Sequence, residues 1–284
     1  MNETNTEVLP LIPPQAINQA NPFTERASLD EAKPKRNSLL STITRKRRRR
    51  PILAVLAGPP GLGKSTLLTE APDPVFSPVE RGLDSINVPK FDTPNTLGEF
   101  LAQLKTLATE EHPYKTYVVD TLDALELLIH NQVKAEGKVR SLEHYEGGYG
   151  KCWVRSKEIL TGILNELVQL SEKMNVWLIC HSQLKTVNDP TLSTGYDVYD
   201  LKLQTKAADV VQQKVDCILF GKMEINVAKD NPKAKKGRGV NTGDRLLYCQ
   251  PATGVMAKNR YDMPDTIEFS YQAIEKCLND FWNK

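Results

Sequence analysis

Gly58-Pro59-Pro60-Gly61-Leu62-Gly63-Lys64-Ser65, with Thr66 directly behind it, is the stretch whose reading decides the fold. Upstream lies the apolar run Ile52-Leu53-Ala54-Val55-Leu56-Ala57. It lacks the alternation of a half-exposed strand, as expected of a strand buried on both faces of a parallel sheet. Downstream, Lys64 to Glu70 reads as the first two turns of a helix. Strand, glycine loop and helix in that order predict a phosphate-binding loop. A triphosphate needs several donors converging from a concave backbone, and Gly61 and Gly63 remove the Cβ atoms that would block its approach. The helix N-terminus adds unpaired N–H groups and a partial positive charge. Lys64 then reaches the β- and γ-phosphates and the Ser65 hydroxyl ligates Mg2+, so ATP and Mg2+ are the expected ligands.

Composition sets the outer bounds. A chain of 284 residues, 40% of them hydrophobic, holds one large domain or two small ones with ample core. No apolar run is long enough to span a bilayer. Met1 to Thr6 lacks the basic-then-apolar order of a secretory leader, so a soluble cytoplasmic protein without membrane contact is expected. Cys152, Cys180, Cys217, Cys249 and Cys277 are scattered and form no C-x-x-C pair, which predicts reduced core thiols and argues against zinc. The net charge of +2 hides an asymmetry: residues 1–50 carry ten Lys/Arg against five Asp/Glu, leaving the remainder net acidic. Any nucleic-acid binding must therefore come from local patches.

Residues 1–50 read as a disordered tail, rich in Pro, Asn, Thr and Ser up to about residue 44 and ending in the basic run Arg45–Arg50; residues 51–284 read as the folded domain. The basic run suits phosphates or an acidic partner surface, or is simply a solvated lead-in to the first strand. Asp73–Glu80 predicts a second strand ending on a carboxylate. Thr93 opens a helix with Leu97, Phe100, Leu101, Leu104 and Leu107 at helical spacing. Lys115–Asp120 is a third strand delivering Asp120 at its end, where a phosphate-loop fold keeps its second Mg2+-organising carboxylate; a plain helix cap is the alternative, and Asp123 is a weaker candidate.

Residues 134–152 are irregular, and Tyr145, Tyr149 and Trp153 offer faces for unpaired bases or anchor an ordinary surface loop. After a helix over Trp153–Met174, a fourth strand ends in His181-Ser182-Gln183. At the carboxyl edge of an open α/β sheet, where ligands bind, His181 and Gln183 would stand beside the phosphate loop as sensors of the γ-phosphate, coupled to a loop over 185–206. A purely structural strand-end histidine is the alternative. Val215–Gly221 makes a fifth strand. Antiparallel pieces follow, at Met223–Val227, Leu246–Gln250 and Val255–Arg260, with a basic loop over Lys229–Arg238 and a last helix near Tyr271–Trp282.

Together, Gly58–Ser65, Glu80-Arg81-Gly82-Leu83-Asp84, Val118-Val119-Asp120, the strand ending His181-Ser182-Gln183 and Ala257-Lys258-Asn259-Arg260 resemble the RecA-like P-loop ATPases. The likeness is greatest to the phage-encoded nucleotide-binding proteins of that fold, including the Sak-type single-strand annealing ATPases, and covers about residues 50–270. It implies a mainly parallel α/β sheet flanked by helices, with antiparallel strands toward the C-terminal end. It also implies that Glu80 activates the attacking water, and that Lys258 and Arg260 are cationic fingers inserted into a neighbouring subunit's ATP site in a ring or filament. Residues 134–151 and 185–206, with 229–238, would contact single-stranded DNA, although Asp189, Asp197 and Asp200 in the second segment repel phosphate.

The expected function is Mg2+-dependent ATP hydrolysis acting on single-stranded DNA in phage recombination or replication, in the host cytoplasm if the chain is phage-encoded. Two readings from other classes remain. One is a nucleotide-gated binding or loader protein with little turnover, whose tail recruits a replication or recombination partner. The other is a small-molecule kinase built on the same loop.

Overall fold

A computed structural model describes residues 39–45, 47–188, 190–191, 193–228, 238–252 and 254–284. The tail expected over residues 1–50 falls largely outside these, as do most of the basic loop and Asp189. Arg49–Lys284 forms one compact unit; in the preceding unit the described residues include a short 3-10 turn at Leu39–Thr42.

The first strand, Leu53–Gly58 (β1), leads through the glycine loop into the helix Lys64–Thr69 (α1). Next come the strand Pro74–Pro78 (β2), the helix Leu97–Thr109 (α2), the strand Thr116–Asp120 (β3) and the helix Leu122–Glu136 (α3). A 3-10 segment at Leu142–Gly147 precedes the long helix Lys151–Leu170 (α4) and the strand Asn175–Val187 (β4). The chain continues with Tyr196–Leu201 (β5), Thr205–Lys214 (α5), Cys217–Ala228 (β6), Arg238–Tyr248 (β7), Thr266–Glu268 (β8) and Tyr271–Asn283 (α6).

The strands form one sheet in the order β2-β3-β4-β1-β6-β7-β8, with β5 paired to β4. β2, β3, β4, β1 and β6 run parallel, and β7 and β8 extend the sheet antiparallel. The anticipated α/β fold is thus the observed one.

β1 shows why its sequence has no alternation. Leu53, Val55 and Ala57 join the core on the side of α2 to α5, whereas Ile52, Ala54 and Leu56 join a second core with Leu67, Leu68, Tyr271 and Ile274 of α1 and α6. Each face of the strand is removed from water by a different helical layer, so every position must be apolar. The helices start where their side chains satisfy orphan N–H groups: Thr96 accepts from Glu99 N, Thr121 from Ala124 N and Ser270 from Ala273 N.

Three segments differ from the sequence reading. The stretch 185–206 is not a loop. β4 runs on to Val187, pairs antiparallel with β5, and is followed by α5, which buries Ala207, Ala208, Val210 and Val211. Two acids expected to repel phosphate are used within this hairpin: Thr186 donates to Asp197 at 2.7 Å and Lys185 pairs with Asp200 at 3.3 Å. Met223–Val227 is no separate piece but the continuation of β6, with a register shift between Met223 and Ile225. Val255–Arg260 makes only isolated bridges, one joining Lys258 to Ile218, because β7 takes the edge of β6 from Phe220 onward.

At the opposite end of the sheet from the glycine loop, Asp216 is 1% exposed. Its carboxylate accepts from Arg50 at 2.5 Å, Arg260 at 3.3 Å and the Leu53 N–H at 3.2 Å, tying the entry of β1 to that of β6. Removing it leaves a buried N–H and two cations without their acceptor. Asp216→Ala is expected to cost about 3 kcal/mol, the scale for breaking a buried charged network, read as a lower urea midpoint at unchanged slope.

Candidate functional site

The parallel register sets the site. Gly58 lies opposite His181 across β1 and β4, Asp120 opposite Ile179 across β3 and β4, and Pro78 opposite Asp120 across β2 and β3. The C-terminal ends of β1, β2 and β3 therefore stand level with His181, where β4 leaves the parallel ladder, and Glu80 lies two residues past the end of β2. Gly61, Gly63, Lys64, Ser65, Thr66, Glu80, Asp120, Thr121 and His181, with Ile86 and Ile179, line one pocket of 260 Å3.

Gly61 has φ +74° and Gly63 φ +96°, backbone conformations that side chains resist. A Cβ on Gly63 would lie 2.8 Å from the Arg245 guanidinium, while nothing lies within 4 Å of the Cβ position on Gly61. Arg245 was not singled out from the sequence. It donates to Leu62 O at 2.9 Å, stacks 5.1 Å from the centre of the Phe269 ring, and so braces the loop from behind. That contact joins residues 183 positions apart, and no local pattern announces it.

Lys64 is buried, and its ammonium donates to Gly58 O at 3.0 Å and Pro59 O at 2.9 Å. Burial lowers its pKa, opposed by the charge of Asp120. Burial likewise raises the pKa of Asp120, opposed by the hydrogen bond from Ser65 and the charge of Lys64. Ser65 Oγ donates to Asp120 Oδ2 at 2.7 Å, so the two oxygens expected to organise Mg2+ already adjoin one another. A hydroxyl and a carboxylate are hard oxygen donors, the set Mg2+ takes beside phosphates. The open space over Gly61 and this donor pair fit a Mg2+-bound phosphate chain.

Glu80 lines the same pocket, its pKa raised by burial against the lowering influence of His181. His181 is held by Asp123 at two points: Asp123 Oδ1 accepts the His181 backbone N–H at 3.0 Å, and Oδ2 lies 2.9 Å from Nδ1. Burial would raise the Asp123 pKa, but these bonds hold it below the ordinary value. Gln183 does not line the pocket; its amide donates to Leu201 O at 2.9 Å and Leu203 O at 3.2 Å.

Lys258 and Arg260 also lie outside the pocket of their own chain. They line a different cleft beside α5 with Asp209, Gln212 and Gln213. Lys258 donates to Gln212 O and Val215 O at 2.5 and 2.8 Å, whereas Arg260 is 51% exposed in its side chain and pairs only at its edge with Asp216. Of the aromatics on residues 145–153, Tyr145 is buried, Trp153 packs edge-on against His130 with ring centres 5.5 Å apart, and Tyr149 is fully exposed.

Fold and site together define a P-loop nucleotide-binding domain: a parallel sheet whose strand ends carry a glycine cradle, a buried lysine and a serine–aspartate pair. More particularly, the chain belongs to the AAA-domain family, whose sequence profile matches residues 50–261. A crystal structure of the RadB recombinase is similar at a TM-score of 0.40 and 14% identity, over 79% of this chain and 90% of that one. No curated protein matches the sequence. Among the described residues no helix is long and apolar enough to cross a membrane.

Two outcomes test these supports. Arg245→Ala is expected to weaken nucleotide binding about tenfold, the worth of one charge-assisted hydrogen bond, without unfolding the chain, as read by titration of a fluorescent ATP analogue. Glu126, one helical turn beyond Asp123, is 9% exposed and accepts the Gln204 N–H with both oxygens, at 3.1 and 3.2 Å. Burial raises its pKa from 4.5 to about 7. Between those values the folded chain keeps a proton that the unfolded chain releases, so this group's contribution to stability falls as pH rises from 4.5 to about 7 and is level beyond. Urea denaturation at about pH 5 and about pH 8 should show that fall in the wild type and a smaller one in Glu126→Gln.

Proposed function

We propose that the protein is a Mg2+-dependent ATPase that works on single-stranded DNA, in recombination or replication of the phage-associated kind its motifs resemble. The observation that carries this reading is the convergence of Lys64, Ser65, Asp120, Glu80 and His181 on one pocket. A bound magnesium ion would be held by Ser65 and Asp120 and would offset charge on the phosphates. Lys64 would leave its carbonyl partners for the phosphate oxygens. Glu80, a half-buried carboxylate with a raised pKa at the same pocket, is placed to orient and deprotonate the attacking water. His181, fixed by Asp123, would report the γ-phosphate to the β4–β5 hairpin through the strand that carries it.

Glu80 in the pocket favours turnover over nucleotide-gated binding alone. Tyr149 favours single-stranded DNA as the partner: a fully exposed tyrosine beside Lys151 suits stacking under an unpaired base, with a cation for the phosphate. Self-association would bring a cation to a neighbour's nucleotide, and Arg260 is the better candidate, since Lys258 is engaged in holding the end of α5. The tail would recruit a replication or recombination partner.

Single-turnover ATP hydrolysis with and without single-stranded DNA tests the reading. DNA is expected to accelerate the wild type. Lys64→Ala should lose nucleotide binding, while Glu80→Gln should keep it and lose at least a hundredfold in rate, the scale of a general base. Tyr149→Ala should weaken DNA binding about tenfold, one lost stacking contact. A rate indifferent to DNA, or unchanged in Glu80→Gln, overturns the proposal.

A further inference from the structure

Among the described residues, one group of side chains has the composition and spacing of a metal site apart from the Ser65–Asp120 pair. Glu80, Asp123 and His181 each offer one ligating atom, and these atoms all lie within 4.8 Å of one another. They come from three parts of the fold: the residues just after β2, the first turn of α3 and the middle of β4, level with the end of β1.

We propose that Glu80, Asp123 and His181 hold a divalent transition-metal ion of the Zn2+ type, next to the nucleotide's magnesium site and chemically distinct from it. The donor chemistry separates the two. Ser65 and Asp120 offer only hard oxygens, which suit Mg2+; an imidazole with two carboxylates is a set that Zn2+ and its neighbours prefer and that Mg2+ has no reason to choose. Three protein ligands leave a further position on such an ion for water.

The group is organised without any ion. Asp123 fixes His181 through both the backbone N–H and Nδ1, at 3.0 and 2.9 Å, which sets the ring's orientation. For His181 to ligate through Nδ1, the proton shared with Asp123 Oδ2 must leave that nitrogen, and the ion takes its place between the two atoms while Oδ1 keeps the backbone N–H. His181 and Asp123 have side chains only 16% and 11% exposed, so little water screens them. The charge balance points the same way. Glu80, Asp120 and Asp123 gather three carboxylates around one lysine, Lys64. A dication between them relieves that repulsion.

The consequence rests on the role proposed above for Glu80. A carboxylate bound to a metal is not free to take a proton from water, so an ion of this type would slow hydrolysis while leaving the phosphate cradle open to nucleotide. Occupancy itself does not depend on that role, and the two are measured separately.

Co2+ serves as the probe, because its visible d–d absorption reports ligand number and type. Added to the nucleotide-free, full-length protein, Co2+ is expected to bind at one equivalent with bands of a four- or five-coordinate N/O site. Zn2+ should displace it and a large excess of Mg2+ should not. His181→Ala and Glu80→Gln, checked for folding by thermal melts, should each weaken binding at least tenfold, whereas Ser65→Ala should not weaken it. Absence of the bands overturns the proposal. So does binding that survives His181→Ala but is lost in Ser65→Ala, since the ion would then occupy the magnesium position. On the same samples ATP affinity is followed with a fluorescent analogue. Protein that binds Co2+ but ignores Mg·ATP keeps the metal site and sinks the ATPase reading; the reverse result does the opposite.

Discussion

The parallel hydrogen-bond ladder through β2, β3, β4 and β1 is the constraint from which the rest follows. Parallel pairing in register does not allow one strand end to be drawn back without shifting its neighbours. Gly58, His181, Asp120 and the residues after Pro78 are therefore placed along one edge by backbone geometry alone. β4 lies between the strand of the glycine loop and the strand of Asp120, so the β4 residue level with the ends of those strands stands between the lysine and the acid. That residue is His181, opposite Gly58, beyond which β4 runs on to pair with β5. The sheet can hold this edge still because β1 and its neighbours are packed on both faces, each by its own layer of helices.

Rigidity at the edge also depends on how the opposite end is secured. Asp216 joins Arg50, Arg260 and the Leu53 N–H below the start of β1, while Arg245 and Phe269 brace the glycine loop above its end. One strand is thus fixed at both termini by buried or half-buried arginine contacts reaching from remote parts of the chain. In the loop that follows, the space over Gly61 is open, which leaves room for backbone amides to face a phosphate.

How much of this could be read from the sequence differs with the kind of interaction. The strand of residues 52–57, the positive-φ glycines after it and the strand-end position of Asp120 were legible because short-range rules govern them: unbroken apolar runs mark strands buried on both sides, and glycine marks positive φ. The β4–β5 hairpin was not. Lys185, Thr186 and Asp197 are polar and exposed and Asp200 is polar, which looks like a loop until cross-strand pairing shows each acid facing a donor. α5, which starts where that stretch ends, was hidden as well, since its buried face is only alanine and valine. Arg245 and the double contact of Asp123 with His181 were beyond reach for a different reason: both are tertiary, and neither residue sits in a pattern of its own.

The contrast between Lys258 and Arg260 shows why a motif does not by itself assign roles to its members. Two residues apart, they face different demands. Lys258 gives its donors to Gln212 O and Val215 O, carbonyls at the end of α5 that would otherwise go unsatisfied, and burial lowers its pKa. A cation spent on capping a helix cannot also reach another subunit without exposing those carbonyls. Arg260 shares Asp216 with Arg50, so its withdrawal leaves the buried carboxylate still paired. A guanidinium has five donors, and among the described residues one contact, to Asp216, engages them. The energetic cost of sending one of the two cations into a neighbouring nucleotide site is therefore smaller for Arg260.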